Sequence, residues 1–222
     1  MKKILSIASI VVILIIAMVT IALAQEQWPT VELPIENLAS LPKEEIKKEG
    51  SSYPGGWQKF YGDYKMKTLH YFSGDQASPF DEVAVLPFTR VFSWVEVLMI
   101  QDQNFETDQY AEDLFIKNEY YLNGLLPFHV VLVSSSLSLL DKDQLRFVFQ
   151  NSTGTKKDAN IHDYNLDETK KPIYSAQINL LADLPPNAEK ITWFSLHILN
   201  KGDTRRVDMS WTFKKETTPP PQ

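Results

Sequence analysis

The segment RVDMSWTF, from Arg206 to Phe213, indicates the fold class most clearly. Its apolar residues occupy every second position and alternate with polar ones. The apolar positions are Val207, Met209, Trp211 and Phe213. Strict alternation of this kind is typical of a strand that has one buried face and one solvated face. The segment therefore predicts an antiparallel strand close to the end of the chain.

Four similar runs precede this segment at short intervals, each bounded by turn residues. They cover residues 127–140, 144–151, 173–184 and 191–200. Several short strands separated by turns are typical of a β-sandwich. We therefore expect a mainly β protein. Residues 125–215 should form an antiparallel β-sandwich, immunoglobulin-like in the generic sense, and residues 216–222 a disordered tail.

Residues 57–124 are expected to form a second, N-terminal β-rich half, with the seam near Gly124. Lys59–Phe72 and Leu86–Gln101 are rich in aromatic and β-branched residues, which favour strands. Residues 108–123 carry apolar side chains at helical spacing and predict one helix, although a strand is the competing interpretation. The expected fold is thus a sandwich with one or two short helices.

Residues 25–56 are rich in proline and charge, and they predict an arm ahead of the β-rich part. A short helix is expected over Leu41–Glu49. Ser40 would be its N-cap, and Gly50 would follow its last turn.

Residues 1–24 predict export. Lys2 and Lys3 precede an uncharged apolar run that ends in Ala22-Leu23-Ala24. This order is typical of a secretory signal peptide cleaved after Ala24. An uncleaved anchor is the alternative, because about 20 apolar residues can span a bilayer. Both interpretations put the remaining chain outside the cytoplasm, as a secreted, periplasmic or cell-surface protein.

The charge and composition narrow the classes of partner. The chain has 22 basic and 28 acidic residues, a formal net charge of −6 and no cysteine. Phosphate backbones repel an acidic chain, so a nucleic-acid partner is not expected. A membrane would be contacted only through an uncleaved N-terminal segment.

No motif of a common catalytic site is present. The serines at 134–136 lack a Gly-x-Ser-x-Gly elbow, and the sequence has no glycine-rich phosphate loop. The histidines are isolated and form no His-x-x-x-His pair that would indicate zinc; they are His70, His129, His162 and His197. We therefore expect a protein without enzymatic activity, in which histidines of strand-like runs are structural.

The segment DANIHDYNLDET, from Asp158 to Thr169, is a candidate calcium site. Its candidate ligands are Asp163, Asn165 and Asp167, which match the start of a calcium loop. Glu168 then stands where an EF-hand has glycine, which excludes that motif. A looser calcium site and a polar connection between strands are the two remaining alternatives.

The segment SYPGGWQKFYGDY, residues 52–64, is a candidate ligand-binding site. A loop here would present Trp57, with Tyr53 and Tyr61, as an exposed aromatic platform for a sugar or a peptide. Packing of the same rings in the core is the competing interpretation.

Two functions are compatible with these features. The protein is either a binding module for a glycan, a peptide or another envelope component, or a structural or assembly subunit of a surface or periplasmic complex. We expect no cofactor apart from calcium at the candidate loop.

Overall fold

The computed structural model describes residues 30–73 and 78–214. In these residues the chain forms ten strands: β1 (Thr30–Leu33), β2 (His70–Ser73), β3 (Glu82–Pro87), β4 (Leu125–Ser134), β5 (Leu145–Asn151), β6 (Lys156–Asp158), β7 (Asn160–Asp167), β8 (Tyr174–Asp183), β9 (Trp193–Asn200) and β10 (Arg206–Phe213). It also forms four α-helices: α1 (Lys43–Ser51), α2 (Gly56–Thr68), α3 (Arg90–Asn104) and α4 (Asp108–Asn118).

The predicted signal segment, residues 1–24, and the predicted tail, residues 216–222, lie outside the described residues. Within the described ranges, no helix has both the length and the apolar character needed to cross a membrane.

The strands form two five-stranded sheets in the described part of the chain. Sheet A has the order β1-β10-β9-β5-β6, and sheet B has the order β2-β3-β4-β8-β7. Neighbouring strands are antiparallel except for β1, which runs parallel to β10 with Val31 opposite Trp211. The prediction of a mainly β protein is therefore confirmed, and the parallel pair is a feature that alternation alone did not indicate.

Aromatic side chains from the two sheets meet in one core. The Phe128 ring of β4 lies 6.1 Å from the ring of Phe149 on β5 and 5.9 Å from that of Trp211 on β10. Phe194 of β9 stacks on Trp211 at 5.2 Å. These side chains occupy the inner positions of their strands, so the polar positions of sheet A face outward.

Two predicted strands are largely helices. Lys59–Phe72 is mostly helix α2, and only its end belongs to β2. The buried residues of α2 recur every three or four positions, which is helical spacing; they are Trp57, Phe60, Tyr64 and Thr68. Most of Leu86–Gln101 is helix α3, whose sides are largely buried. Burial on several sides of a helix explains why the segment would be apolar on both faces if it were a strand.

A helix does begin at Asp108, as predicted. Thr107 caps it, because its Oγ1 accepts a hydrogen bond from the Tyr110 backbone N–H at 3.2 Å. The helix ends at Asn118, and a 3-10 turn, Tyr120–Asn123, replaces its expected last turn.

The described part of the predicted arm is integrated into the fold. Strand β1 pairs with β10, and the side chain of Leu33 is fully buried. Helix α1 follows Pro42 rather than Ser40, and Gly50 lies inside its last turn against the Trp57 ring. Across the expected seam at Gly124, β3 pairs with β4, so sheet B contains strands from both sides of it.

Candidate binding site

A cleft of about 610 Å³ lies on the outer face of sheet A. Its lining comes from β5, β6, β9 and β10. The residues are Arg146, Val148, Gln150, Lys156, Lys157, Asp158, His197, Leu199 and Arg206. Four of these side chains are basic and one is acidic, whereas the whole chain has a net charge of −6.

The pleat of the strands explains which residues reach this face. Along β9, Phe194, Leu196 and Ile198 point into the core, so the alternate residues point outward. The outward set is Trp193, Ser195, His197 and Leu199. The register then places His197 directly opposite Asp208 on β10 and opposite Val148 on β5.

His197 is the centre of a hydrogen-bond network at the base of the cleft. Its Nδ1 lies 2.6 Å from Oδ1 of Asp208, to which the ring N–H donates. Its Nε2 lies 3.2 Å from Oγ of Ser195 and 3.1 Å from Oε1 of Gln150. The neutral ring accepts a hydrogen bond from the serine hydroxyl, and the protonated ring donates one to the glutamine carbonyl.

Asp208 is held in its ionised form. Burial alone would raise the pKa of this carboxyl, but the hydrogen bond and charge of His197, together with Arg206, outweigh burial and lower the pKa. The Arg206 Nε donates to Oδ2 of Asp208 at 2.9 Å. Both oxygens of the carboxylate are therefore engaged.

The remaining cations differ in their partners. Arg146 pairs with Asp158 at 2.9 Å, and Lys157 lies 3.7 Å from a carboxylate oxygen of Asp183 on β8. Lys156 is exposed and has no carboxylate within ion-pair distance in the described part of the chain. Exposed ion pairs contribute little free energy, so these cations can reorient toward a ligand. Lys156 is already free to do so.

Ser195, His197 and Asp208 have the order of donors and acceptors found at serine nucleophiles. Two features disfavour acyl transfer here. Ser195 is only 3% exposed. It also lies on a central strand, where the backbone N–H groups pair with β5 or β10 and do not form a free oxyanion pocket. The arrangement suits the binding of a ligand better than attack on one, and the expected lack of enzymatic activity stays a prediction.

Trp193 adds an aromatic surface to the same face. It is the first residue of β9, two positions before Ser195, and it is 37% exposed. It does not line the cleft, because four positions, or roughly 13 Å along β9, separate it from His197. Its exposed indole is a flat aromatic surface of the kind on which sugar rings stack.

The structure places the predicted aromatic platform differently. Trp57 lies in helix α2 and is 9% exposed, so the prediction of an exposed loop around it is wrong. Its ring packs edge-on against Phe60 at 5.6 Å. An aromatic side chain at helical spacing fills the space between helices, which explains the burial.

Tyr53 and Tyr61 are half-buried and hydrogen-bonded to carboxylates. The Tyr53 hydroxyl donates to Asp63 at 2.7 Å, and that of Tyr61 donates to Glu96 at 3.3 Å. Burial, reinforced by Glu96, raises the pKa of Tyr61 to about 12. These rings connect α2 to its surroundings, and their assignment to ligand binding stays a prediction.

The candidate calcium residues lie on a strand rather than in a loop. Asp163, Asn165 and Asp167 occupy alternate positions of β7, which pairs with β8. Asp167 Oδ1 accepts hydrogen bonds from the backbone and side chain of Thr169 at 2.9 and 2.6 Å. Within the described ranges, no group of three or more His, Cys, Asp or Glu residues is arranged to hold a metal ion.

The residues of the cleft were not predicted as a site. His197 is isolated within a strand-like run, which predicted a structural role for it. Its partners Asp208 and Gln150 lie 11 and 47 positions away on other strands. The one local signal is the alternation itself, which puts a histidine on the outward face of β9.

No protein-family model matches this chain, and no curated protein matches its sequence. The interpretation of the cleft therefore depends on the chemistry of its own residues.

Proposed function

We propose that the protein is an exported, non-catalytic β-sandwich, immunoglobulin-like in the generic sense, that binds an acidic glycan on the outer face of sheet A. The observation that carries the proposal is the set of four basic side chains around one cleft of an acidic chain. Export is inferred from the pattern of residues 1–24, and the sandwich from the contact of aromatic rings between two sheets.

Each part of an acidic sugar has a matching group on this face. Arg146, Lys156 and Arg206 would bind carboxylate or sulfate groups, because cations form charge-assisted hydrogen bonds with them. Gln150 offers hydrogen bonds to sugar hydroxyls. Trp193, farther along the same strand, would stack on a sugar ring where the oligosaccharide extends beyond the cleft. The sequence left three classes of ligand open: a glycan, a peptide or another envelope component. The basic cleft favours an acidic glycan among them.

Isothermal titration calorimetry tests this proposal. The probe is a galacturonic acid oligosaccharide, and its neutral counterpart has the carboxylates reduced to alcohols. We expect the acidic probe to bind and the neutral one to bind more weakly. Added salt should reduce the affinity for the acidic probe, because ions screen exposed charges.

Matched variants locate the site. Lys156→Ala should weaken binding about five- to tenfold, because one net hydrogen bond contributes about 1 kcal/mol. Lys170→Ala, which removes an exposed lysine from the turn between β7 and β8, outside the cleft lining, should leave the affinity unchanged. Absence of binding at about 1 mM probe, or equal affinity of the Lys156→Ala and wild-type proteins, would contradict the proposal.

The alternative function is that of a structural or assembly subunit. The observation in its favour is an exposed aromatic residue, Phe105, at the connection between α3 and α4.

A further inference from the structure

The connection between helices α3 and α4 presents Phe105 to solvent. Helix α3 ends at Asn104 and α4 begins at Asp108, so the two helices form a hairpin with a very short tip. Phe105 is 96% exposed and has a φ of 56°, in the left-handed region. Large side chains rarely adopt this conformation, which glycine adopts freely. Neither burial nor backbone preference explains a phenylalanine here.

The tip is held in place by its neighbours. The Glu106 backbone N–H donates to the Gln101 carbonyl at 3.0 Å, and the Gln101 side-chain amide donates to Asp108 at 2.9 Å. Thr107 caps the next helix. The exposed ring is thus carried on a braced backbone, as expected of a preorganised contact residue.

The surroundings of the tip carry a net negative charge. Asp102, Glu106 and Asp108 lie beside Phe105 together with one cation, Lys47 of α1, whose Nζ lies 3.2 Å from a carboxylate oxygen of Asp108. An acidic collar is repelled by anionic lipid surfaces, which disfavours insertion of the ring into such a membrane. The complementary partner is an apolar pocket with a basic rim.

The cleft on sheet A of the same chain has this chemistry. Val148 and Leu199 supply apolar surface, and Arg146, Lys156 and Arg206 supply the basic rim. We propose that copies of this chain associate head to tail, with the Phe105 tip of one copy seated in the sheet A cleft of the next.

This contact joins two different surfaces, so each complex retains one free tip and one free cleft. Association of this kind continues into rings or open filaments rather than stopping at a symmetric dimer. A single aromatic tip buries a small area, so the contact is expected to be weak and dependent on concentration. The inference does not rest on glycan binding, but an acidic glycan in the cleft would compete with the tip.

Sedimentation velocity of the purified chain at low salt, over a range of concentrations up to about 1 mM, tests the inference. The wild-type chain should show a sedimentation coefficient that rises with concentration. Phe105→Gly, which suits the left-handed backbone, should remain monomeric, and so should Lys156→Glu. Met66→Ala and Lys190→Glu are the matched controls, because they change an exposed apolar residue and an exposed lysine elsewhere. Both should associate like the wild type.

Mixing the two defective variants gives the sharper result. Phe105→Gly retains its cleft and Lys156→Glu retains its tip, so the mixture should form one-to-one dimers that grow no further. A wild-type chain that stays monomeric over the whole range, association of Phe105→Gly at the wild-type level, or a mixture that stays monomeric would each overturn the inference. Isothermal titration calorimetry measures glycan binding, and sedimentation measures self-association. Each proposal can therefore fail without affecting the test of the other.

Discussion

The Nδ1 atom of His197 lies 2.6 Å from Oδ1 of Asp208, across the strands β9 and β10. This pair joins two strands that also share the core, so the polar outer face of sheet A is fixed by the same register as the aromatic inner face. A ligand in the cleft would therefore meet side chains that are already oriented.

The pair makes stability depend on pH. The pKa of Asp208 in the folded chain lies below its ordinary value, because His197 and Arg206 together outweigh the opposing effect of burial. A lowered pKa means that this carboxylate stabilises the fold above the unfolded pKa of about 3.9 and that the contribution disappears as pH falls through the folded pKa. Asp208→Asn should therefore lower the free energy of unfolding by about 1.5–3 kcal/mol near neutral pH.

The free energy of unfolding of the wild type and of Asp208→Asn can be measured with urea at several pH values. The difference between the two proteins should shrink steadily as the solution is acidified below the unfolded pKa. A difference that is the same in acid and at neutral pH would contradict the assigned role of the pair.

Two glycines in helices should respond to alanine in opposite directions. Gly62 lies inside α2, and a Cβ there would meet no atom within 4 Å, so Gly62→Ala should stabilise the protein by about 0.5–1 kcal/mol. A Cβ at Gly50 would collide with the Trp57 ring, so Gly50→Ala should cost about 1–3 kcal/mol despite the better helix propensity. The melting temperatures of both variants, compared with the wild type, test these two expectations. A higher melting temperature for Gly50→Ala would contradict the packing of Trp57 on α1.

Trp211 connects sheet A to a helix end. Its Nε1 donates to the backbone carbonyl of Thr68, the last residue of α2, at 3.1 Å. Trp211→Phe keeps an aromatic ring but leaves this buried carbonyl without its donor, which should cost about 1–3 kcal/mol on chemical denaturation. Trp193→Phe, on the exposed face, is the control and should change stability by less than about 0.5 kcal/mol. Equal effects of the two substitutions would contradict the assigned hydrogen bond.

Calcium should not shift the melting temperature. Alternate residues of a strand stand about 7 Å apart, so one ion cannot contact Asp163, Asn165 and Asp167 together at the 2.3–2.6 Å that calcium requires. Melting curves in EDTA and in excess calcium are expected to overlay. If calcium instead raises the melting temperature, and the double variant Asp163→Ala, Asp167→Ala loses that increase, β7 carries a calcium site.

The sequence predicted strands best where one face of the strand is exposed to solvent. The alternation in Arg206–Phe213 identified β10, because a half-buried strand has a period of two. The same rule gave the wrong element in Leu86–Gln101, where 11 of 16 residues, counting Pro87, are apolar and the period of a largely buried helix is hidden. It failed at Asp163–Asp167 for a different reason, because polar residues on an edge strand resemble a loop.

The candidate site could not be predicted from local patterns. His197, Asp208 and Gln150 are brought together only by the pairing of β5, β9 and β10, and the register of those strands is a property of the folded chain. The outward position of His197 is visible in the sequence, whereas its partners are not.

Nuclear magnetic resonance can map where the acidic oligosaccharide binds, through the changes in amide chemical shift that it causes. We expect the largest changes in β5, β6, β9 and β10, including Gln150, Lys156 and His197, and none in helices α1 to α4. Shifts centred on Trp57 and the helices, or no shifts at saturating probe, would contradict the assignment of the binding site to the outer face of sheet A.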